Sequence, residues 1–384
     1  MRVLHIVTRL HVAGSERVAE TLASGIVAHG ESAAVAPVAG PLDHELAAQL
    51  RARLRAAGVA VLETTGEPGV KRASLQAPLH LGRVVDEFEP DVVHLHTEIP
   101  EFAWALTTVV SRRAARLPVV RTIHNTVLWG GWRLAGLFAE ARLGNAHVIA
   151  VSGGARDAFV VRQWKIARRR RAVDVIYNGI ACPASTEPAR SVPATPILCY
   201  AGRLELQKGI DVLLDALALL DRSDVAFDVV IHGTGRLEGR VAAALTGLRR
   251  RVELLPPRLD LVAQLPTFDA ILMPSRFEGL PLLAVESLCA GVPVLATSAP
   301  GLDEAVPDWY PGRCTVGDAA AFAAMIVEFV RDADRWSAET EAARSWARHR
   351  FAPEAMIGRY LDVYRGVGGM GRATQGIVPP GQGS

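Results

Sequence analysis

The sequence predicts an α/β protein with two Rossmann-like domains, each built on a doubly wound parallel sheet. The chain has 384 residues, enough for two or three domains of about 100–200 residues each. Half of its residues are hydrophobic and 21% are charged, which indicates large buried cores. Short β-branched apolar runs alternate with longer runs of helical period, a pattern typical of parallel sheets with helices on both faces.

The first domain is predicted to span residues 1–180. Its strands are short apolar runs bounded by turn residues, and helical runs fill the gaps between them. The predicted strands are RVLHIVT (2–8), SAAVAPV (32–38), DVVHLH (91–96), PVVRTIH (118–124), HVIAVS (147–152) and AVDVIYN (172–178).

A stretch rich in Pro, Ala, Ser and Thr follows at 181–196 and is predicted to be the interdomain linker. The second domain is predicted over 197–350, and the helix at about 352–366 is expected to return to the first domain. The Gly- and Pro-rich tail at 367–384 is expected to be disordered. The predicted elements of the second domain are strands 197–203, 227–233, 251–256, 270–275 and 293–297 and helices 209–221, 236–248, 259–266 and 281–290.

The charge balance and the cysteines argue against several classes of protein. The chain carries 42 Lys and Arg against 40 Asp and Glu, so its net charge of +2 predicts no nucleic-acid partner. The four cysteines form no C-x-x-C pair, so we expect neither a disulfide framework nor a zinc site. The chain shows no secretory-signal pattern and no run of ~18 apolar residues. These features predict a cytoplasmic protein.

Two glutamates flank the start of the helix predicted at 281–290. Glu278 follows a strand end, where the free N–H groups and the positive dipole end of the helix favour a pyrophosphate. Glu286 lies about five residues into that helix, roughly 7 Å from its N-terminus at ~1.5 Å per residue, which is about the distance from a phosphate to the ribose of a nucleotide. A carboxylate at either position can accept hydrogen bonds from sugar hydroxyls. The spacing therefore predicts a nucleotide-sugar site.

Two cations follow the strand predicted at 197–203. Arg203 and Lys208, in GRLELQKG, flank the turn at the strand's carboxyl end. Open α/β sheets bind ligands in the crevice at these ends, and two cations there can neutralise a leaving diphosphate without a metal ion. Each alone is equally consistent with ordinary surface charge.

Together these stretches resemble the retaining GT-B glycosyltransferases of the large family four, which transfer sugars from nucleotide diphosphate donors. The resemblance covers residues 1 to about 366 and implies two domains facing each other across a deep cleft. It rests on AGSE (13–16), IYNGI (176–180), GRLELQKG (202–209), HGTG (232–235) and FEGLPLLAVE (277–286), whose two glutamates have E-x7-E spacing.

The resemblance implies roles for individual donor-site residues. Arg203 and Lys208 would hold the diphosphate, and Glu278 and Glu286 would bind the transferred sugar and the ribose. Pro256 stands where the family usually has Gly, next to the expected base contact. The predicted donor residues are Gly14, Arg203, Lys208, Gly233, Arg258, Glu278, Gly279, Leu280 and Glu286, and the predicted catalytic residues are His124, Arg203, Lys208 and Glu278.

Histidines end two predicted strands of the first domain. In similar enzymes the residue matching His124 lies against the sugar near its anomeric centre. His94 and His96 share one face of the preceding strand and, with Glu98, are interpreted either as acceptor contacts or as buried core groups. The sequence indicates no third metal ligand beside them, so we expect no metal.

The acceptor side is predicted from two further stretches. HNTVLWGGWRLAGLF (124–138) is interpreted as a mobile loop whose aromatic rings stack on a sugar or cyclitol, or else pack in the core. The basic run RQWKIARRRR (162–171) is either a solvated helix end or a contact with anionic lipid headgroups. The predicted acceptor contacts are His96, Glu98, Asn125, Trp129 and Trp132.

We therefore expect a retaining transferase that needs neither metal nor cofactor. It would move a hexosyl or N-acetylhexosaminyl group from a UDP-sugar or related donor to a hydroxyl of a glycan, a lipid-linked sugar or a small metabolite. The protein would be cytoplasmic, with peripheral contact at the inner face of the membrane through 162–171 as a further hypothesis. Two alternatives stay open: a non-hydrolysing sugar-nucleotide epimerase, and a non-catalytic sugar-nucleotide-binding protein.

Overall fold

The computed structural model describes residues 1–11, 14–42, 44–63, 69–167, 172–182, 193–258 and 260–373. The chain divides into two compact units, Met1–Gly179 with Pro353–Ser384, and Ile180–Ala352. Each unit contains a parallel sheet with helices in its crossovers. The predicted α/β class with two doubly wound sheets is confirmed.

The first unit begins with thirteen labelled elements. They are β1 (Arg2–Val7), α1 (Gly14–Ala28), β2 (Ser32–Pro37), α2 (His44–Ala56), β3 (Ala60–Val61), α3 (Val70–Phe88), β4 (Val92–His96), α4 (Glu98–Val110), β5 (Val119–Ile123), α5 (Arg133–Arg142), β6 (His147–Ala150), α6 (Gly153–Ala167) and β7 (Asp174–Val175). The seven strands pair in the order β3-β2-β1-β4-β5-β6-β7. The chain therefore leaves β1 first to one side and then to the other.

Strand β1 contributes to two cores because successive side chains of a strand point to opposite faces of the sheet. Val3 and Val7 are buried on the face covered by α1 and α2, whereas Leu4 and Ile6 lie on the face covered by α3 and α4. His5 is fully buried and, as an alternate residue of the strand, lies on the same face of the sheet as Val3 and Val7. A polar ring in this position needs hydrogen-bond partners inside the unit.

The second unit contains a six-stranded parallel sheet. Its elements are β8 (Ile197–Ala201), α7 (Ile210–Leu220), β9 (Asp228–His232), α8 (Glu238–Leu245), β10 (Val252–Leu255), α9 (Leu261–Gln264), β11 (Ala270–Met273), α10 (Leu282–Cys289), β12 (Val294–Thr297), β13 (Arg313–Cys314), α11 (Ala319–Arg331) and α12 (Ala333–Arg350). The strands pair in the order β10-β9-β8-β11-β12-β13. Short 3₁₀ turns occur at Leu206–Lys208 and Leu265–Thr267 in this unit, and at Ala114–Arg116 in the first unit.

The last helix, α13 (Pro353–Ala373), belongs to the first unit and packs against α1. Its residues Met356, Ile357, Tyr360 and Tyr364 complete the core on the His5 face of the sheet. The helix continues to Ala373, so the prediction of disorder is wrong for residues 367–373. The remainder of that predicted tail, 374–384, lies outside the described residues.

Two other predicted segments also fall partly outside the described residues. Most of the predicted linker, at 183–192, and the end of the basic run, at 168–171, lie outside the described residues. The predicted mobile loop at 124–138 is helical from Arg133 onward, because α5 begins there.

Candidate functional site

The candidate ligand site of the second unit lies where the strand order reverses. Strand β8 pairs with β9 on one side and with β11 on the other. The loops that leave the carboxyl ends of β8 and β11 therefore diverge and leave a crevice, the usual ligand position in open α/β sheets. Arg203 and Lys208 lie in the first of these loops, and Glu278 lies in the second.

Lys208 and Glu278 form an ion pair at this point. The Lys208 Nζ atom lies 2.7 and 2.8 Å from the two carboxylate oxygens of Glu278. The Glu278 side chain is 6% exposed and that of Lys208 is 24% exposed. The Ser275 hydroxyl donates to the same carboxylate at 2.7 Å. The structure thus brings together the cation predicted to hold a phosphate and the anion predicted to hold a sugar.

Arg203 lies in the same loop but is exposed. Its guanidinium donates to the Gln207 side chain at 2.8 Å, and the Gln207 amide donates to the carbonyl of Phe277 at 3.3 Å. This relay connects the loop after β8 with the loop after β11. Arg203 can therefore present charge to an anion in solvent while its loop stays attached to that of Glu278.

Arg276 is a residue of this site that the sequence analysis missed. Its two terminal nitrogens donate to the two carboxylate oxygens of Asp211, each at 2.7 Å, and one of them also donates to the carbonyl of Leu206 at 2.8 Å. Such a bidentate pair fixes orientation as well as charge. The available signal was its position just after β11, which is equivalent to that of Arg203 after β8.

Two glycines hold the loop after β8 close to its neighbours. Gly209 has a φ of 66°, and a Cβ atom there would lie 1.8 Å from the carbonyl oxygen of Pro274. A Cβ atom at Gly233 would lie 2.0 Å from the carbonyl oxygen of Gly202. Gly233, one of the predicted donor residues, packs against the backbone of the loop carrying Arg203, and its contact with a donor stays a prediction.

The residues between Glu278 and the N-terminus of the next helix are buried. Helix α10 begins at Leu282 with Pro281 as its N-cap, and Gly279 and Leu280 are buried. Glu286 is also buried, at 3% exposure, one turn inside the helix. Its assignment to the ribose stays a prediction.

Arg258 occupies the surface beyond β10. Its guanidinium pairs with both carboxylate oxygens of Asp260 at 3.0 Å. The carbonyl of the neighbouring Pro256 contacts His232 Nδ1 at 3.0 Å. Arg258 is therefore already engaged by a carboxylate, and its contact with a nucleotide base stays a prediction.

The expectation that the cysteines form no disulfide is wrong. Cys182 and Cys289 are joined, with their Cα atoms 5.3 Å apart and a sequence separation of 107, whereas Cys199 and Cys314 are free. A search for near-neighbour pairs cannot detect such a bond, because its two ends meet only in the folded chain. The bond ties the end of α10 to the start of the predicted linker.

The first unit holds a cluster of four histidines from adjacent strands. His5 Nδ1 lies 3.0 Å from His96 Nε2, and His96 Nδ1 lies 3.3 Å from His124 Nε2. Burial lowers the pKa of His5 and of His124 to about 3. Burial, and then the neighbouring histidines, hold the pKa of His94 and His96 well below the usual value. The four rings are therefore neutral at physiological pH.

Within the described residues, His5, His94 and His96 are close enough to share a metal ion, with ligand atoms all within 4.8 Å. His5 could not be recognised from the sequence as a third ligand, because β1 lies far from β4 in sequence although the two strands are neighbours in the sheet. His94, however, uses both ring nitrogens, contacting the Thr122 and Tyr364 hydroxyls at 2.7 Å each. A metal ion would have to displace one of these hydroxyls.

A small cavity beside His124 is lined by residues with unusual backbone conformations. Thr97 and Trp129 both line it, and their φ angles are 77° and 59°. Residues other than glycine rarely adopt positive φ, and such strain concentrates at functional sites. The cavity is therefore a candidate contact point for a substrate.

A buried charge cluster supports the same cavity, and the sequence analysis missed it. Arg121 is fully buried and donates to Glu101 at 2.6 Å and to Glu140 at 2.8 and 3.1 Å. Burial raises the pKa of Glu101 to about 7, against the opposing effect of Arg121. One cation thus pairs with two carboxylates, and Arg121 and Glu101 themselves line the cavity.

The predicted acceptor residues have different surroundings. Asn125 is exposed, whereas Glu98 is half-buried, and burial raises its pKa. Trp129 is 4% exposed, packs in the core and lines the small cavity, and its contact with an acceptor stays a prediction. Trp132 packs edge-on against Phe102, with ring centroids 6.0 Å apart.

Two further predicted site residues, His96 and Gly14, differ in exposure. His96 is fully buried between His5 and His124, and its contact with an acceptor stays a prediction. Gly14 is exposed and is the first residue of α1, and its two predecessors lie outside the described residues.

Comparison with known proteins assigns the family. The model for "Glycosyltransferase Family 4" matches residues 12–183, and that for "Glycosyl transferases group 1" matches residues 195–332. The chain belongs to the family-four glycosyltransferases. The predicted resemblance is therefore confirmed.

Curated relatives agree with this assignment. The chain is 27% identical to a glycogen synthase of Mycobacterium tuberculosis, over 76% of this chain and 73% of that protein. It is 32% identical to a D-inositol 3-phosphate glycosyltransferase of Mycolicibacterium smegmatis, over 51% of this chain and 49% of the relative.

Solved structures share the fold over almost the whole chain. The Anabaena protein HepE in complex with UDP-glucose superposes with a TM-score of 0.75 at 19% identity, covering 95% of this chain and all of that one. Sucrose-phosphate synthase from Thermosynechococcus elongatus gives a TM-score of 0.75 at 18% identity, covering 96% and 100%. The fold is that of the GT-B glycosyltransferases. None of the helices within the described residues has the length and apolar character needed to cross a bilayer.

Proposed function

We propose that the protein transfers a hexosyl or N-acetylhexosaminyl group, with retention, from a nucleotide diphosphate sugar to an acceptor hydroxyl. The observation that carries the proposal is the Lys208–Glu278 ion pair at the switch point of the second unit. It provides a cation for phosphate oxygens next to a carboxylate for sugar hydroxyls, in the crevice where ligands of such sheets bind.

The donor is held by charge and by hydrogen bonds. Arg203 and Lys208 neutralise the diphosphate, and Glu278, oriented by Ser275, accepts hydrogen bonds from the hexose. Glu286 binds the ribose hydroxyls. We propose UDP as the nucleotide, supported by the UDP-glucose complex of the structurally similar HepE protein.

The reaction follows from the same groups. The acceptor hydroxyl attacks the anomeric carbon on the face that the diphosphate leaves, and its proton passes to the leaving phosphate oxygen. Arg203 and Lys208 stabilise the negative charge that develops on that diphosphate, so no metal ion is needed for this step. Fixed charges of this kind typically contribute several kcal/mol to catalysis. His124 hydrogen-bonds the sugar near the reacting carbon.

Among the acceptors open to such an enzyme, a lipid-linked sugar is supported by a second cavity in the first unit. This cavity has a volume of about 510 Å³ and includes the exposed apolar residues Val127, Leu137 and Val161 together with Arg133 and Arg162. Apolar walls beside two cations suit an acceptor with a hydrocarbon chain and a phosphate. An enzyme using such an acceptor would work in the cytoplasm at the inner face of the membrane.

The proposal is tested by measuring the melting temperature of the full chain with UDP-, GDP-, ADP- and dTDP-hexoses. A ligand that binds only the folded protein raises that temperature. We expect UDP-sugars to raise it, in EDTA as well as in Mg²⁺, and Lys208→Ala to abolish the rise while Arg251→Ala, an exposed cation of the same unit, retains it. The absence of any shift across the panel would overturn the proposal, and an epimerised nucleotide sugar formed without acceptor would show an epimerase instead.

A further inference from the structure

Three histidines of the first unit form a continuous hydrogen-bonded chain across neighbouring strands. His5 stands on β1, His96 ends β4 and His124 follows β5. The contacts run from His5 Nδ1 to His96 Nε2 at 3.0 Å and from His96 Nδ1 to His124 Nε2 at 3.3 Å. Each ring contact uses one nitrogen of each partner, so His96 has both nitrogens occupied.

The two ends of the chain differ. His5 Nε2 is buried and has no hydrogen-bond partner in the part of the chain that the structure describes. His94, the nearest other ring, has both nitrogens occupied by the Thr122 and Tyr364 hydroxyls. At the opposite end, His124 is only partly buried and lines the small cavity next to Thr97.

Because the rings are neutral, each carries a single N–H, and the chain has only two possible directions. In one direction, His5 donates to His96 and His96 donates to His124, which leaves a bare nitrogen at His5 Nε2 and an N–H at His124 Nδ1. In the other direction every donor is reversed, which leaves a buried N–H without a partner at His5 Nε2. Buried donors without partners are rarer than under-satisfied acceptors.

We propose that His5 and His96 are positioning residues that hold His124 in the Nδ1–H tautomer, so that its outward nitrogen is a hydrogen-bond donor. His124 lines the small cavity next to Thr97, and there the donor would meet an oxygen of the sugar or of the acceptor. That last assignment rests on the proposed function, whereas the tautomer itself does not. An imidazole without these partners favours the opposite, Nε2–H form. The hydrogen bonds from His5 through His96 therefore hold His124 in its less stable tautomer.

The tautomers are read directly by ¹⁵N NMR of the full chain labelled at histidine, with signals assigned by single substitutions. We expect Nδ1 of His5, His96 and His124 to give signals of protonated nitrogen, and their Nε2 atoms to give signals of bare nitrogen. Protonation of His124 at Nε2 would overturn the proposal. So would binding of one equivalent of added Zn²⁺ that shifts the His5 and His96 signals, because these rings would then form a metal site.

Two substitutions of His96 separate positioning from packing. His96→Phe keeps a ring but removes the donor to His124, and we expect His124 to revert to the Nε2–H form. His96→Asn keeps an amide N–H near the position of Nδ1, and we expect it to restore the Nδ1–H form. The proposal would be contradicted if His96→Asn failed to restore the Nδ1–H form of His124. It would also be contradicted if the tautomer of His124 were unchanged in His96→Phe.

His94 supplies the matched control, since it is equally buried but lies outside the chain. His94→Gln should leave the tautomer of His124 unchanged even if it lowers the melting temperature. His5→Phe provides a second route if the His96 variants fold poorly, and it should weaken the preference of His124 for Nδ1–H. These readouts use no substrate, so they stay informative even if the proposed sugar transfer is wrong.

Discussion

Lys208 donates to both carboxylate oxygens of Glu278, at 2.7 and 2.8 Å, across the point where the loops after β8 and β11 diverge. The cation is thus neutralised by a carboxylate when no ligand is bound. A diphosphate arriving at this point would take over part of the Lys208 interaction and leave Glu278 to accept hydrogen bonds from hydroxyls. The pair therefore couples binding of the anionic part of a donor to binding of its sugar.

The two diphosphate cations should matter for turnover. We expect Arg203→Ala and Lys208→Ala each to lower kcat by about 10²-fold or more, because fixed charges at a developing anion contribute on this scale. Arg203→Ala should leave the melting temperature unchanged, since Arg203 is exposed. Steady-state kinetics with Arg251→Ala as the control measure this, and near-normal turnover in both variants would remove these residues from the mechanism.

Removing the charge of Glu278 should separate nucleotide binding from sugar transfer. In Glu278→Gln, Lys208 no longer shares its charge with a carboxylate, so UDP alone should bind at least as tightly as it does to the unaltered protein. Turnover should nevertheless fall by about 10²-fold, because the amide accepts sugar hydroxyls less strongly than a carboxylate. Calorimetric titration with UDP tests the first half, and a loss of UDP affinity equal to that of Lys208→Ala would contradict the assigned roles.

The Arg276–Asp211 pair should act by holding the loop that carries Lys208. Arg276→Ala removes a bidentate pair and the contact with the Leu206 carbonyl. We expect KM for the donor to rise severalfold, while the melting temperature falls by only a few degrees because part-exposed pairs contribute about 1 kcal/mol or less. An equal change in Arg251→Ala would show that loss of a surface cation is sufficient.

The close backbone contact at Gly209 should tolerate no side chain. Gly209→Ala combines a φ of 66° with a clash against the Pro274 carbonyl, whereas Gly317→Ala combines a φ of 79° with open space. We expect Gly317→Ala to cost about 1 kcal/mol from conformation alone, and Gly209→Ala to cost about 3 kcal/mol or more. Calorimetric unfolding compares the two, and equal costs would mean that the loop yields to the added methyl group.

The buried Glu101 should make the stability of the first unit depend on pH. Burial raises its pKa from 4.5 to about 7 in the folded chain, so between these values the folded state keeps a proton that the unfolded chain has released. The free energy of unfolding therefore falls as pH rises through this window, by up to about 3 kcal/mol, and then levels off.

Glu101→Gln isolates this contribution because it cannot ionise. The variant should gain stability relative to the unaltered protein between pH 4.5 and pH 7.5, as measured by urea unfolding at both values. A difference that stays constant with pH would mean that Glu101 is ionised throughout, paired with Arg121.

The sequence was sufficient where function follows from local position. Arg203, Lys208 and Glu278 were predicted from their places after strand ends, and the structure brings Lys208 and Glu278 into direct contact. Local patterns also placed most strands of both sheets, whereas β3 and β13, with two residues each, carry too little periodicity to detect.

The sequence was insufficient where a feature depends on distant residues. The Cys182–Cys289 bond, the third histidine His5 and the Arg121 cluster all join segments that no local pattern relates. The burial of Trp129 is a further example, because only the packed core shows that its ring is covered. Side-chain burial is a property of the assembled sheet and helices rather than of the segment.

The proposed donor site is tested most directly by a crystal structure of the full chain soaked with a UDP-sugar. We expect diphosphate oxygens in hydrogen-bond contact with Arg203 and with Lys208 Nζ, and hexose hydroxyls on the Glu278 carboxylate. A donor bound away from the loops after β8 and β11, with the Lys208–Glu278 pair undisturbed, would contradict this expectation.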